Sequence, residues 1–257
     1  MAGDATARMH APVLRDGDVA DRVAVEEPLE IRAGDTALAV TMRTPGHDEE
    51  LAVGFLHGEG LLAGPVAAVG PTADLAANVV VVDAPLQAVA RERRFYTTSS
   101  CGICGRGALD EVAVHAAPAP PGPVLDRALL AALPDRLRQP GFAVTGGLHA
   151  TGLFDAAGEL LCVREDVGRH NAMDKVIGRA LLDGGLPLAG RVLCVSGRLS
   201  FELVQKAAVA GCPILVGVGA PSSLAVELAA DRGMTLCGFA RRGCVNVYTG
   251  GGRVRDL

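Results

Sequence analysis

The sequence predicts an α/β protein in which a three-layer sandwich occupies the second half and a smaller N-terminal α+β lobe precedes it. Three observations lead there. Beyond residue 147, a hairpin signal at Asp155-Ala156-Ala157-Gly158 is followed by alternating apolar strand and amphipathic helix patterns, the signature of a sheet covered on both faces. Pro118-Ala119-Pro120-Pro121-Gly122-Pro123 favours extended, semi-rigid backbone and marks a connector between the two parts. Finally, 257 residues with 49% hydrophobic and 21% charged side chains can bury a substantial core. That length suits one large domain with an added lobe, against roughly 150 residues per domain.

Taken in order, residues 1–22 are polar and acidic without a period, which predicts a flexible arm. The lobe then spans 23–123. Residues 31–43 read as strand, turn at Ala33-Gly34-Asp35, and strand, with Leu38, Val40 and Met42 forming the apolar face. Thr44-Pro45-Gly46-His47-Asp48-Glu49-Glu50 starts a helix whose acids suit its positive end. Leu51, Phe55, Leu56 and Leu62 share its apolar face, and Gly54 and Gly58 weaken it. Val79 to Val82 is a buried strand, and 91–98 is another. A loop rich in glycine and small polar groups (97–107) holds Cys101 and Cys104, and a short helix (108–115) leads to the connector.

The second domain spans 124–257. A helical stretch at 125–137 precedes the hairpin strands 147–154 and 159–165. Helices are expected at 169–182, 200–210 and 222–232, with strands at 191–196, 213–218, 235–239 and 245–248.

Charge excludes several functions. With 24 Lys+Arg against 29 Asp+Glu and a net charge of −5, and without a long basic run, the chain does not read as a nucleic-acid binder. No apolar run reaches the ~20 residues that span a bilayer, and the N-terminus lacks a signal-peptide core, so a cytosolic location is expected. Seven cysteines without an export signal argue for thiols, a metal or redox chemistry rather than a disulfide framework. The only two lysines, Lys175 and Lys206, read as compositional bias.

Cys101-x-x-Cys104 is the sharpest feature, because two thiols at this spacing can form a disulfide, clamp a metal, or pass sulfur. Tetrahedral zinc needs about two more ligands. Yet Cys162, Cys194, Cys212 and Cys237 fall singly on expected strands as small core hydrophobes, with Cys244 at another strand's start. A thioredoxin-like pair belongs at a strand-to-helix junction, not in a glycine loop. Lowering a thiol from ~8.5 to ~6.5 beside Arg93, Arg94 or Arg106 would raise its thiolate fraction from about 3% to about 75% at pH 7. Nucleophilicity falls with pKa, which leaves a gain of only a few-fold, so loop reach matters more than acidity.

Three expected strand ends suit a ligand: Arg164-Glu165-Asp166-Val167-Gly168-Arg169-His170-Asn171, Ser196-Gly197-Arg198-Leu199-Ser200 and Gly219-Ala220-Pro221-Ser222-Ser223. Phe239-Ala240-Arg241-Arg242-Gly243-Cys244 offers guanidinium groups and a glycine-backed backbone to a nucleotide, or is a solvated arginine turn between strands. His149 and His170 suit acid/base or metal roles, against the commoner backbone-paired histidine.

Ser99-Ser100-Cys101-Gly102-Ile103-Cys104-Gly105, Thr145-Gly146-Gly147-Leu148-His149, Arg164 through Ala172, Ser196-Gly197-Arg198 and Gly238-Phe239-Ala240-Arg241 together resemble the FdhD/NarQ family, the formate dehydrogenase accessory sulfurtransferases. The likeness runs from about Ile31 to Tyr248. It implies a cytidine-deaminase-like core, a homodimer, and no permanent metal. It also implies a sulfur carrier that accepts persulfide from a cysteine desulfurase on Cys101, assisted by Cys104. That sulfur would pass to Mo-bis(molybdopterin guanine dinucleotide), bound as substrate, for the benefit of formate dehydrogenase. Phe239, Ala240, Arg241, Arg242, Gly243 and Cys244 match the cofactor-binding segment, with Arg242 and Cys244 departing from its pattern; Arg198 and Asn171 are further candidates. The deaminase likeness is one of fold, because His149-Ala150-Thr151 lacks the glutamate of the deaminase H-x-E signature. A cofactor chaperone and a thiol-disulfide oxidoreductase remain the alternatives.

Overall fold

Residues 10–24, which overlap the expected arm, form a hairpin in a computed structural model that describes residues 9–73, 78–87, 95–96 and 116–256. Strands β1 (His10–Arg15) and β2 (Val19–Ala24) pair antiparallel through the Asp16-Gly17-Asp18 turn. Both Asp16 and Gly17 take positive φ there. The ribbon is mostly exposed, which explains why hydrophobic periodicity failed to reveal it.

A mixed five-stranded sheet follows, ordered β5-β6-β3-β4-β7, from β3 (Glu27–Ala33), β4 (Thr36–Arg43), β5 (Ala68–Pro71), β6 (Val79–Asp83) and β7 (Phe95–Tyr96). Helix α1 (Asp48–Gly58) sets Leu51, Phe55 and Leu56 against Leu29, Ile31, Leu38, Val80 and Val82. Leu62 lies beyond the helix, bridging Leu86 instead of extending the helical face. A bulge at Leu38, the extra residue between the Ile31–Ala39 and Arg32–Ala37 pairs, changes the expected alternation of β4. Leu38 and Ala39 are both buried, and from there Thr41 and Arg43 point inward while Val40 and Met42 are half-buried. Arg43 is only 2% exposed and is satisfied by Asp48 at 3.0 and 2.9 Å and by Asn78 Oδ1 at 2.9 Å.

The second unit contains β8 (Leu125–Asp126), α2 (Arg127–Ala132), a 3-10 turn (Leu133–Arg136) and the unforeseen short helix α3 (Pro140–Thr145). Its six-stranded sheet runs β10-β9-β11-β12-β13-β14. The strands are β9 (His149–Phe154), β10 (Leu160–Asp166), β11 (Val192–Val195), β12 (Ile214–Gly217), β13 (Thr235–Arg241) and β14 (Cys244–Thr249). Helices α4 (Arg169–Leu182), α5 (Phe201–Val209) and α6 (Ser223–Asp231) pack on the face bearing Leu193, Val195 and Leu215. Val192, Cys194, Ile214 and Val216 face the other way, onto α2 and the 3-10 turn. Three layers result. A last strand, β15 (Val254–Arg255), pairs with β8, and the connector lies along this unit, with the Ala119 N–H donating to the Arg232 carbonyl at 2.7 Å.

The two units meet where α1 crosses α4. A Cβ added to Gly54 would stand 1.9 Å from the Asp174 carbonyl oxygen, and one on Gly178 1.8 Å from that of Glu50. The glycine that weakens α1 in isolation is what lets the two backbones touch.

Candidate functional site

The parallel strands β11, β12 and β13 end together, and the loops that leave them are laced by backbone hydrogen bonds. Gly219 N–H donates to the Gly197 carbonyl at 2.9 Å, Leu199 N–H to Ala220 at 3.0 Å, and Phe239 N–H to Gly219 at 3.1 Å. A Cβ on Gly219 would sit 2.9 Å from Arg198 Cα, so glycine is required for this approach. Arg198 is thereby held, exposed, on the rim of the strand ends.

The segment 239–244 forms the tip of the β13–β14 hairpin. Arg241 pairs with Cys244, and Arg242 and Gly243 between them both have positive φ (52° and 75°), as a two-residue hairpin turn of the primed type requires. Phe239 also has positive φ (53°), a costly conformation for a bulky side chain, and the Arg241 guanidinium lies 5.8 Å from its ring centre. Ala240 is fully buried in the core, so its side chain faces away from solvent. Arg241, Arg242, Gly243 and Cys244 are exposed.

A second group of side chains stands at the same end of the sheet. His149 opens β9, Arg169 and His170 open α4, and Arg198 follows β11. A Cβ on Gly197 would lie 3.5 Å from His149 Nδ1 and 3.9 Å from Arg169 Cδ, which places these two side chains around one glycine. Burial lowers the His149 pKa, and the charges of Arg169, His170 and Arg198 push it the same way while Asp166 opposes them. His170 Nε2 lies 3.2 Å from Ser200 Oγ and 3.8 Å from a Glu202 carboxylate oxygen. The His170 imidazole holds the Glu202 carboxyl down at about 2. His170 is therefore paired with side chains, not with backbone.

Asn171 stands one residue further along α4, but its amide is engaged between the units. It donates to the Met42 carbonyl at 2.8 Å and to Asp166 Oδ1 at 3.1 Å, and accepts from Thr41 Oγ1 at 3.3 Å. Beneath it Lys175 Nζ meets Asp166 Oδ2 at 2.6 Å, with side chains 1% and 0% exposed, and donates to the Thr44 carbonyl at 2.9 Å. Lys206 is likewise buried, 2.9 Å from Asp174 and 3.1 Å from Glu59. Burial pushes the Asp174 carboxyl up to about 6 against the pull of Lys206. Both lysines, read from sequence as compositional residue, thus hold buried ion pairs. The signal was their scarcity: an ammonium is a compact charge that fits where a planar guanidinium does not.

Cys101 and Cys104 lie outside the described residues. Burial raises the thiols of Cys194, of Cys212 to about 11 and of Cys237 to about 12, and also raises that of Cys162. Cys212 is a buried core residue as expected, though it precedes β12 instead of lying on it, while Cys162 lies on the edge strand β10 and is only half-buried. Cys244 is exposed.

Sequence reasoning placed Arg169 and His170 in a strand-end segment suited to a ligand and weighed acid/base or metal roles for His149 and His170, but did not join them into one cluster. The available signal was a helix that starts with Arg-His and no acid, unlike the Asp-Glu-Glu start of α1. Among the described residues no helix is long and apolar enough to cross a membrane.

Comparison with known proteins places this architecture among relatives. The chain is 52% identical to the sulfur carrier protein FdhD of Streptomyces coelicolor, over 98% of this chain and 96% of that protein. It is 49% identical to the protein of the same name in Mycobacterium tuberculosis, over 91% and 92%. A solved Desulfotalea psychrophila structure, described as a formate dehydrogenase accessory protein, superposes with a TM-score of 0.76 at 28% identity, covering 96% of this chain and 98% of that one. The FdhD/NarQ family model matches residues 24–255, which takes in both sheets and the strand ends just described, and the chain belongs to that family.

Proposed function

We propose that this chain is a sulfur carrier serving formate dehydrogenase, with Cys101 as the persulfide-bearing thiol and Cys104 as its assistant. The observation that carries the reading is near-full-length similarity to proteins named sulfur carriers, in a chain whose only closely spaced thiols are Cys101 and Cys104. Cys194, Cys212 and Cys237 support it by default, since their buried, raised thiols make poor nucleophiles. In this account a cysteine desulfurase loads Cys101 in the cytoplasm by thiol-persulfide exchange. The sulfur then passes to Mo-bis(molybdopterin guanine dinucleotide), bound as substrate between the hairpin 239–244 and the Arg198 loop. The exposed arginines of that hairpin suit phosphate recognition. The second-first-third-fourth-fifth order of β9 to β13, with β9 antiparallel to its neighbours, supports a cytidine-deaminase-like core. Assembly as a homodimer belongs to the same reading.

The test is genetic. In cells that depend on this chain, Cys101→Ala at unchanged protein level is expected to abolish formate dehydrogenase activity. Retained activity would overturn the reading and leave the chain a cofactor chaperone.

A further inference from the structure

A two-stranded ribbon is at best marginally stable in water unless a third strand or a packed face supports it. The β1–β2 ribbon nevertheless stands largely exposed. A hydrogen bond from the Val25 N–H to the Met9 carbonyl at 3.0 Å fixes the phase of its ladder. By alternation, the paired residues Pro12 and Arg22 turn their backbone groups outward. Pro12 has no N–H to give, and the Arg22 N–H already donates to Asp21 Oδ1 at 2.8 Å. Both edges are thereby blunted near their midpoints against an added strand, so support has to come from a face.

One face is suited to it. The register places Ala11, Val13, Val19 and Val23 on the same side, with Val19 and Val23 the diagonal neighbours of Val13, while Leu14 is on the other. Met9, two residues before Ala11 and on that same side, meets α3, since a Cβ on Gly141 would lie 3.1 Å from Met9 Cε. Helix α3 thus continues the valine face and adds Phe142 and Val144. Val13, Val19, Val23, Phe142 and Val144 are each 37–45% exposed, and they are five of the eleven exposed large hydrophobic side chains among the described residues. That concentration on two neighbouring elements marks a contact surface, because single exposed apolar groups are ordinarily scattered.

We propose that this face of the ribbon, extended by α3, is where two copies of the chain join about a two-fold axis. Size and charge both point to a second copy. The fifteen residues of the ribbon and the six of α3 match the roughly 20–30 residues per side of a standard interface. The charged side chains on the valine face are Arg15 and Asp21, 3.4 Å apart, exposed and opposite in sign. A face without net charge offers a foreign partner little electrostatic selection, whereas a two-fold contact sets each Arg15 against the Asp21 of the other copy.

The inference rests on the homodimer of the preceding reading and gives it a surface. Sedimentation equilibrium of the full chain tests it. Wild type should show the mass of two copies at micromolar concentration. Val13→Asp enters the contact twice and should weaken association at least about tenfold. Arg15→Asp and Asp21→Arg should each impair pairing alone, yet chains of the two kinds should pair when mixed, because every charge across the axis then meets its opposite. Leu161→Asn, on the edge strand β10 where another large hydrophobic is exposed, should change nothing. A wild type that stays a single copy would remove the assembly and this proposal with it. A two-copy wild type unmoved by Val13→Asp, separated instead by Leu161→Asn, or whose charge variants fail to pair on mixing, would leave the assembly standing and overturn the surface alone. Neither result bears on sulfur transfer, which the Cys101→Ala assay decides.

Discussion

The two helices that cross at Gly54 and Gly178 begin in opposite ways. Helix α1 starts with Asp48, Glu49 and Glu50, and two of these acids are used in folding. Asp48 clamps buried Arg43, and Glu50 takes a bidentate contact from Arg164 at 2.5 and 2.7 Å. Helix α4 starts with Arg169 and His170, and among the described residues the buried Nε of Arg169 has no hydrogen-bond partner. One helix end is completed by the chain itself. The other has neither an acid in its first turn nor a side-chain cap.

The largest expected effect comes from removing the support beneath α4. Lys175→Met leaves Asp166 buried without its cation, and about 3–5 kcal/mol of stability should be lost in chemical denaturation. A loss below about 1 kcal/mol would show that the start of α4 is held by something else. Gly178→Ala comes next. Its Cβ would press on the Glu50 carbonyl, and separating the two helices should cost about 3 kcal/mol, read from the same denaturation curves.

The acid side of the comparison titrates. Burial works to raise the Glu50 pKa, but hydrogen bonds from Arg164 and His47 more than offset it and hold the carboxyl at about 2. Because the folded value lies below the ordinary 4.5, the stability it confers is present above 4.5 and disappears as pH falls through about 2. Glu50→Gln should therefore be less stable than wild type at neutral pH, and the two curves should converge towards pH 2. The smallest effect has the opposite sign. Arg169→Gln removes a cation from a helix N-terminus that has no acid in its first turn and should raise stability by roughly 0.3–1 kcal/mol in thermal unfolding.

The second half of the chain was legible because its sheet is covered on both faces. Its strands are short apolar runs between turn residues, and α4 occupies the expected 169–182. The first half was less so, for definable reasons. The bulge at Leu38 shifts the alternation of β4, so the inward positions are Thr41 and Arg43, whose burial depends on partners remote in sequence. The β1–β2 ribbon is too exposed to leave a hydrophobic pattern, and α3 is too short to show a helical period. The glycine and arginine content of 196–200 and 239–244 singled out loops that the fold brings together at one end of the sheet. The members of the cluster around His149 were each singled out, but their juxtaposition was not legible because they come from three separate elements and no spacing rule joins them. The ion pairs of Lys175 and Lys206 were invisible for the same reason.

Intact-protein mass spectrometry after incubation with a cysteine desulfurase and free cysteine tests the sulfur-carrier account most directly. The account predicts a gain of one sulfur atom that a thiol reductant removes and that peptide mapping assigns to Cys101. A chain that emerges with unchanged mass, or with the added sulfur on Cys244 alone, would contradict it.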